Sequence, residues 1–266
     1  MAKKNSADRA AAKAKLAEER ARQAAVERRR KLAFVTVGVV AFVASAAAVV
    51  VGVMNEDGGA EGPTPAVAAG VPASDDGGIV IGPDEAEAAE SGIPTVDVYE
   101  DFQCPACATF EATSGPTLLK LAGEDAARVV YHPINLIGAQ LSGSVPRSSS
   151  LRSASAFACA TTESLDKGMD FHSIAFANQT QEGQGITDEL LLNWGREAGL
   201  TSDTFTQCVQ DQTYVGWAER VDAASGDRNI TGTPTVLVNG KELTRQPNQY
   251  TPEGLEAAGA AATTKK

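Results

Sequence analysis

One stretch constrains this chain before any other: Leu32 to Met54, LAFVTVGVVAFVASAAAVVVGVM, is 23 residues without a charged side chain. A helix rises about 1.5 Å per residue and needs roughly 20 apolar residues to cross a bilayer core, so this run is long enough to span with some tilt. Arg28, Arg29, Arg30 and Lys31 stand directly before it, and no Lys or Arg follows until Lys120. That asymmetry predicts a single-pass membrane protein with its N-terminus in the cytoplasm and its C-terminal body outside. A cleaved secretory signal, with Ala44-Ser45-Ala46 as the cleavage site, and a buried core helix are the competing readings. A signal has a shorter basic leader and an apolar region of about 7–15 residues, which favours the anchor, with membrane lipid as its partner.

The two sides of this run differ in kind. Residues 1–31 hold eleven Lys/Arg against four Asp/Glu, so they carry +7, and the formal net charge of -11 leaves -18 for the remainder. A body that acidic argues against nucleic acid as a partner. The basic segment 1–31 is Ala, Lys, Arg and Glu with almost no large apolar residue; it reads as a helical cytoplasmic extension with no core of its own. Residues 55–77 are rich in Gly, Pro, Ala and acids and read as a tether. From about Gly78 to Ala262 the texture is globular.

Within that globular part, Gly78-Ile79-Val80-Ile81-Gly82 reads as a first edge strand and Thr95 to Tyr99 as a strand by its alternation. Cys104 to Gly123 reads as a helix kinked at Gly115-Pro116, and Arg128 to Ile134 as the next strand. Strand, helix and strand make a βαβ unit with parallel strands. Helical patterns are best at 148–163, 186–198, 202–211 and 213–224, inside an insertion of about 140–228. Thr235 to Val238 is a strand, Asn239-Gly240 a tight turn, Glu242 to Thr244 its return, and Pro252 to Ala262 a closing helix capped by Thr251. The expected fold is α/β, in the order β-α-β, helical insertion, β-β-α.

Chemistry concentrates at Cys104-Pro105-Ala106-Cys107. Two cysteines three apart at a strand-to-helix junction put the first sulfur on a helix N-terminus, where free N–H groups favour a thiolate. Cys104 is then the exposed, reactive sulfur and Cys107 the buried resolving thiol. A zinc knuckle or an inert bridge is the alternative. Zinc calls for a second close pair, whereas Cys159 and Cys208 lie 49 residues apart with no histidine near, so no metal is expected.

Asp101-Phe102-Gln103-Cys104-Pro105-Ala106-Cys107, then Phe176-Ala177-Asn178-Gln179, then Thr231-Gly232-Thr233-Pro234-Thr235 and Val238-Asn239-Gly240, resemble the DsbA-like thioredoxin-fold thiol:disulfide oxidoreductases, in their membrane-anchored branch. The resemblance covers about residues 78–262. It implies a thioredoxin fold, catalysis by Cys104 and Cys107, and no cofactor beyond their redox-active disulfide. It also implies a cis Pro234 facing Cys104, with Thr233, Pro105 and Ala106 in the loops that meet an extended substrate peptide. The implied activity is oxidation of secreted or cell-envelope proteins, with reoxidation by a quinone-linked membrane oxidase of the DsbB or VKOR type. A reductase or isomerase, including one serving cytochrome c maturation, and a non-catalytic anchored peptide-binding module are the other function classes.

The sequence departs from that pattern in two places. Ala106 stands where many relatives have a His or an aromatic residue, which implies a less extreme oxidant. Val98 stands where some thioredoxin folds hold a buried acid six residues before the first cysteine. Asp97, Glu100 and Asp101 are the nearest substitutes, read as solvated strand-end carboxylates or, alternatively, as groups that tune the thiols. His132, at the C-terminal end of its strand, is a tuning candidate or an ordinary packed histidine; His172, beside Phe171 and Phe176, reads as helix packing. If Cys104 pairs with Cys107, Cys159 and Cys208 are left to each other. They then form either a structural disulfide, worth about 4 kcal/mol for such a loop, or two buried thiols.

Overall fold

The computed structural model describes residues 71, 73–137, 149–180, 185–244 and 249–263. The basic segment, the apolar run Leu32–Met54 and most of the tether lie outside the described residues. Among the described residues no helix is long and apolar enough to cross a membrane.

Five strands form one sheet: β1 (Ile79–Ile81), β2 (Thr95–Glu100), β3 (Arg128–Pro133), β4 (Thr235–Val238) and β5 (Lys241–Glu242), in the order β1-β3-β2-β4-β5. Only β2 and β3 run parallel, with Tyr99 opposite His132, as a βαβ crossover requires; β1, β4 and β5 pair antiparallel. All six residues of β3 are buried, and so are the last five of β2, because helices cover both faces of the sheet there.

Eight helices complete the described chain. Helix α1 (Glu85–Ser91) is capped by Asp84 and ends on Gly92 in the left-handed conformation. Helix α2 (Pro105–Gly123) continues through Pro116 as a single helix. The insertion is α3 (Ser149–Glu163), α4 (Leu165–Ala177), α5 (Asp188–Glu197), α6 (Asp203–Asp211) and α7 (Val215–Asp227). Ser164, Thr187 and Ser202 each accept a backbone N–H at the start of α4, α5 and α6, which fixes where these helices begin. Helix α8 (Pro252–Ala262) starts at its Thr251 cap.

Three sequence expectations change here. Helix α1 lies between the expected edge strand and Thr95, where no element was expected. Helix α4 buries one face, at Gly168, Met169, Phe171, His172, Ala175 and Phe176, but Gly, Ala and His at three of these positions leave only a weak apolar stripe in the sequence. Its close approach to α3 depends on Gly168, where a Cβ would stand 2.4 Å from the Thr161 methyl. The fold also starts earlier than Gly78: Ala73 bridges Ile79, and the Asp76 carboxylate pairs with Arg228 at 2.8 Å. Trp217 Nε1 donates to the Gly77 carbonyl, so the end of the supposed tether is part of the domain.

Candidate active site

Cys104 is the N-cap of α2, in an extended conformation, and Pro105 occupies the first helical position, where a missing N–H costs nothing. Pro105 and Ala106 are exposed, while Cys104 keeps 5% of its surface and Cys107 none. Cys104 is therefore more enclosed than the exposed sulfur expected from sequence. Both cysteines are free thiols. The loop before β4 lies against them: the Thr233–Pro234 peptide is cis, and the Thr233 carbonyl accepts from Cys104 Sγ at 3.6 Å.

The two thiols are driven apart electrostatically. The Cys107 thiol, which hydrogen-bonds to the Cys104 sulfur, lowers the Cys104 pKa to about 5; the Thr233 side chain and the backbone N–H groups of Cys107 and Ala106 add to this, against the opposing effect of burial. Burial, with the neighbouring Cys104 and Glu100 charges, pushes Cys107 far above the usual thiol range. Near neutral pH the reduced pair thus holds an ionised Cys104 beside a protonated Cys107.

The loop carrying the first cysteine is held by polar partners. One Asp101 oxygen accepts from the Gln103 N–H at 2.8 Å and the Ser150 hydroxyl at 2.5 Å; the other accepts from the Ile137 N–H at 2.7 Å. Gln179 donates from its amide to the carbonyls of Phe102, at 2.7 Å, and Cys104, at 3.1 Å. Asp101 is therefore a loop holder whose pKa rises through burial. Gln179 belongs to the Phe176–Gln179 motif, yet sequence alone gave it no role.

Neither Glu100 nor Asp101 is solvated: both are fully buried. Glu100 hydrogen-bonds through Oε1 to Nε2 of His172, and His172 Nδ1 lies 3.9 Å from Glu111 Oε2. The His172 ring is enclosed by Phe102, Tyr131, Phe157 and Phe176. Burial raises the Glu100 pKa well above the ordinary carboxylate range and Glu111 to about 8, and it lowers His172. Among the described residues these three side chains are the group with metal-ligand chemistry, with ligand atoms within 4.8 Å of one another. The direct Glu100–His172 bond already occupies Oε1 and Nε2, so we read the cluster as a hydrogen-bonded one.

His132 does not join this cluster. Its Nε2 lies 3.0 Å from Asp97, its Nδ1 lies 3.8 Å from Asp76, and its ring stacks on Tyr99. Residues alternate across a strand, so Asp97 and Tyr99 face away from Val98 and Glu100, and His132 sits on their side. The histidine beside the thiols' carboxylates is His172. Glu111, one turn after Cys107 on the same helix face, was within reach of the helical spacing but was not singled out. Cys159 and Cys208, on α3 and α6, form a disulfide.

A family model described as thioredoxin matches residues 74–258. The reduced disulfide bond oxidoreductase DsbG from Mycobacterium tuberculosis is 30% identical, covers 65% of this chain and 86% of its own, and gives a TM-score of 0.50. Reduced DsbA from the same organism is also 30% identical, covering 64% of this chain and 89% of its own, with a TM-score of 0.50. Oxidised BdbD from Bacillus subtilis shares the fold at 22% identity, with 73% and 96% coverage and a TM-score of 0.58. No curated protein is significantly similar in sequence.

Proposed function

This chain belongs to the DsbA-like thioredoxin-fold thiol:disulfide oxidoreductases, and from that premise we propose that it is a dithiol oxidase that introduces disulfides into secreted or cell-envelope proteins. A substrate thiolate attacks Cys104 Sγ, the Cys104–Cys107 bond breaks, and a mixed disulfide forms while Cys107 leaves as a thiolate and takes up a proton. A second substrate thiolate then attacks the substrate sulfur of that mixed disulfide and releases Cys104 as a thiolate. Two electrons pass from the substrate to the pair. The client backbone adds as a strand beside Thr233, whose carbonyl already faces Cys104.

The surroundings of Cys104 favour oxidase over reductase: hydrogen bonds from the Cys107 thiol, the Thr233 side chain and the N–H groups of Cys107 and Ala106 lower its pKa to about 5. An ionised Cys104 stabilises the reduced pair at neutral pH, which draws electrons into it, and makes Cys104 a good leaving group. The apolar run Leu32–Met54 would hold the domain at the outer face of the membrane, within reach of a quinone-linked oxidase of the DsbB or VKOR type that returns the disulfide.

The test equilibrates the full-length protein in glutathione buffers of stepped ratio and reads oxidised Cys104 with a thiol-alkylating mass tag. A potential between about -120 and -200 mV is expected. A value near that of thioredoxin, about -270 mV, would overturn the oxidase reading in favour of a reductase.

A further inference from the structure

The reacting sulfur is carried on a short piece of chain whose shape is set before α2 begins. Asp101 to Cys104 form a tight turn, closed by the Cys104 N–H donating to the Asp101 carbonyl at 2.9 Å. Cys104 leaves that turn in an extended conformation, φ -86° and ψ 115°, as the N-cap. An N-cap side chain ordinarily holds its own residue in place by accepting backbone N–H groups. Cys104 does this as a thiolate, toward Ala106 and Cys107. Once its sulfur is tied into a disulfide, the charge and most of that support are gone, so the conformation needs a holder that does not depend on the sulfur.

Gln179 meets that requirement. It follows Asn178, the C-cap of α4, and its amide nitrogen donates one hydrogen to the Phe102 carbonyl, at 2.7 Å, and one to the Cys104 carbonyl, at 3.1 Å. These two carbonyls bracket Gln103 and Cys104, so holding both restrains the backbone torsions between them. The Cys104 carbonyl already accepts from the N–H groups of Cys107, at 3.0 Å, and Ala108, at 3.2 Å. A further donor there is not required to satisfy a buried acceptor; what it adds is orientation. Phe176 of α4 stacks on Phe102 with ring centroids 4.9 Å apart, so α4 grips the same turn a second time. Neither Gln179 bond involves a sulfur, and both are compatible with any state of the cysteines.

We propose that Gln179 is a positioning residue for thiol–disulfide exchange: it holds Cys104 as the N-cap of α2 in every redox state, so that one sulfur position serves the thiolate, the mixed disulfide and the closed pair. The inference rests on the oxidoreductase reading of the Cys104–Cys107 pair. In the reduced state the clamp keeps the Cys104 sulfur over the Ala106 and Cys107 N–H groups that help to stabilise its charge. In a mixed disulfide it keeps Cys104 Sγ where Cys107 reaches it in line with the bond that breaks. Cys107 Sγ then bonds to Cys104 Sγ, the bond from Cys104 to the partner breaks, and the partner sulfur leaves with the electron pair. The partner takes up a proton, matching the one that Cys107 gives up. A misplacement of about 1 Å can cost such an intramolecular step about 100-fold in rate, so a residue that acts only on the backbone has a large effect on closure.

Reduced full-length protein is mixed with oxidised glutathione, and the reduced, glutathionylated and closed forms are resolved by mass. This gives one rate for Cys104 attack and a second for Cys107 closure. Gln179→Met keeps the side-chain length and removes the donors. It is expected to raise the Cys104 pKa by about one unit, read from thiolate absorbance against pH, and to slow closure about tenfold or more at pH 7. Cys104 attack should change less than about threefold, because a pKa of about 6 still leaves the thiol ionised at pH 7. A general loss of fold stability would move neither the Cys104 pKa nor the ratio of the two rates. Closure within about twofold of the native rate in the folded variant would overturn the proposal. Absence of any glutathionylated Cys104 in the native protein would instead strike the oxidoreductase reading, leaving the pKa comparison to judge Gln179. A readout on the native protein needs no variant: the Gln179 side-chain amide hydrogens, followed by nitrogen-15 NMR, are expected to exchange with water far more slowly than those of free glutamine in both the reduced and the oxidised protein. Exchange as fast as free glutamine in either state would refute the clamp.

Discussion

The sharpest quantitative consequence of the site concerns pH and the redox equilibrium. Reducing the Cys104–Cys107 disulfide takes two electrons, and the number of protons taken up depends on which thiols stay ionised. Cys107 stays protonated at every relevant pH, whereas Cys104 ionises at about 5. Below pH 5 reduction takes up two protons, so the potential falls by about 59 mV per pH unit; above it one proton is taken up and the slope is about 30 mV. An ordinary thiol at 9.0 would keep the steeper slope up to that pH. At pH 7 the two pH units between neutrality and the Cys104 pKa, at about 1.36 kcal/mol each, favour the reduced form by about 2.7 kcal/mol over such a pair, or about 60 mV. The assay is the glutathione equilibration repeated from pH 4 to 7.5. A break in slope near pH 5 is expected. A slope that stays at about 59 mV across the whole range would refute the lowered pKa and, with it, the electrostatic argument for an oxidant.

Three other outcomes follow from the geometry. Cys107→Ala removes the hydrogen bond that lowers Cys104 most, so the Cys104 pKa should rise by about 1–2 units, read from thiolate absorbance against pH. Glu111 has a folded pKa of about 8 against an ordinary 4.5, so its contribution to stability is fully present below about 4.5 and is lost as pH rises through 8. Glu111→Gln should therefore gain on the native protein with rising pH, by as much as about 5 kcal/mol at pH 9, in denaturant unfolding. Replacing Cys159 and Cys208 together by Ser opens a loop with a sequence separation of 49 and should cost about 4 kcal/mol of unfolding free energy, with little change in the Cys104 attack rate.

Much of the site was legible because its signals are local. Cys104 at a strand-to-helix junction needs only three residues and a proline to announce its helix N-terminus. The β2–α2–β3 unit follows from alternation and connection length. The carboxylate cluster was not legible in the same way. Glu100 comes from β2, Glu111 from α2 and His172 from α4, so no spacing links them. His132 attracted the tuning role because its strand ends at the right edge, but strand alternation turns it toward Asp97. Asp101 looked like a surface acid because carboxylates usually are, yet the Ser150 hydroxyl and the N–H groups of Gln103 and Ile137 satisfy it inside.

By itself, then, the sequence determined the strand-helix-strand unit and the redox pair, because periodicity, capping and the CxxC spacing act over a few residues, and the proline loop followed from the family resemblance. Tertiary structure alone decided that three titratable groups from three elements are buried together beside that pair, and which histidine is among them. Such burial arises only when α4 closes on α2 and the sheet, since desolvation depends on what the rest of the chain covers.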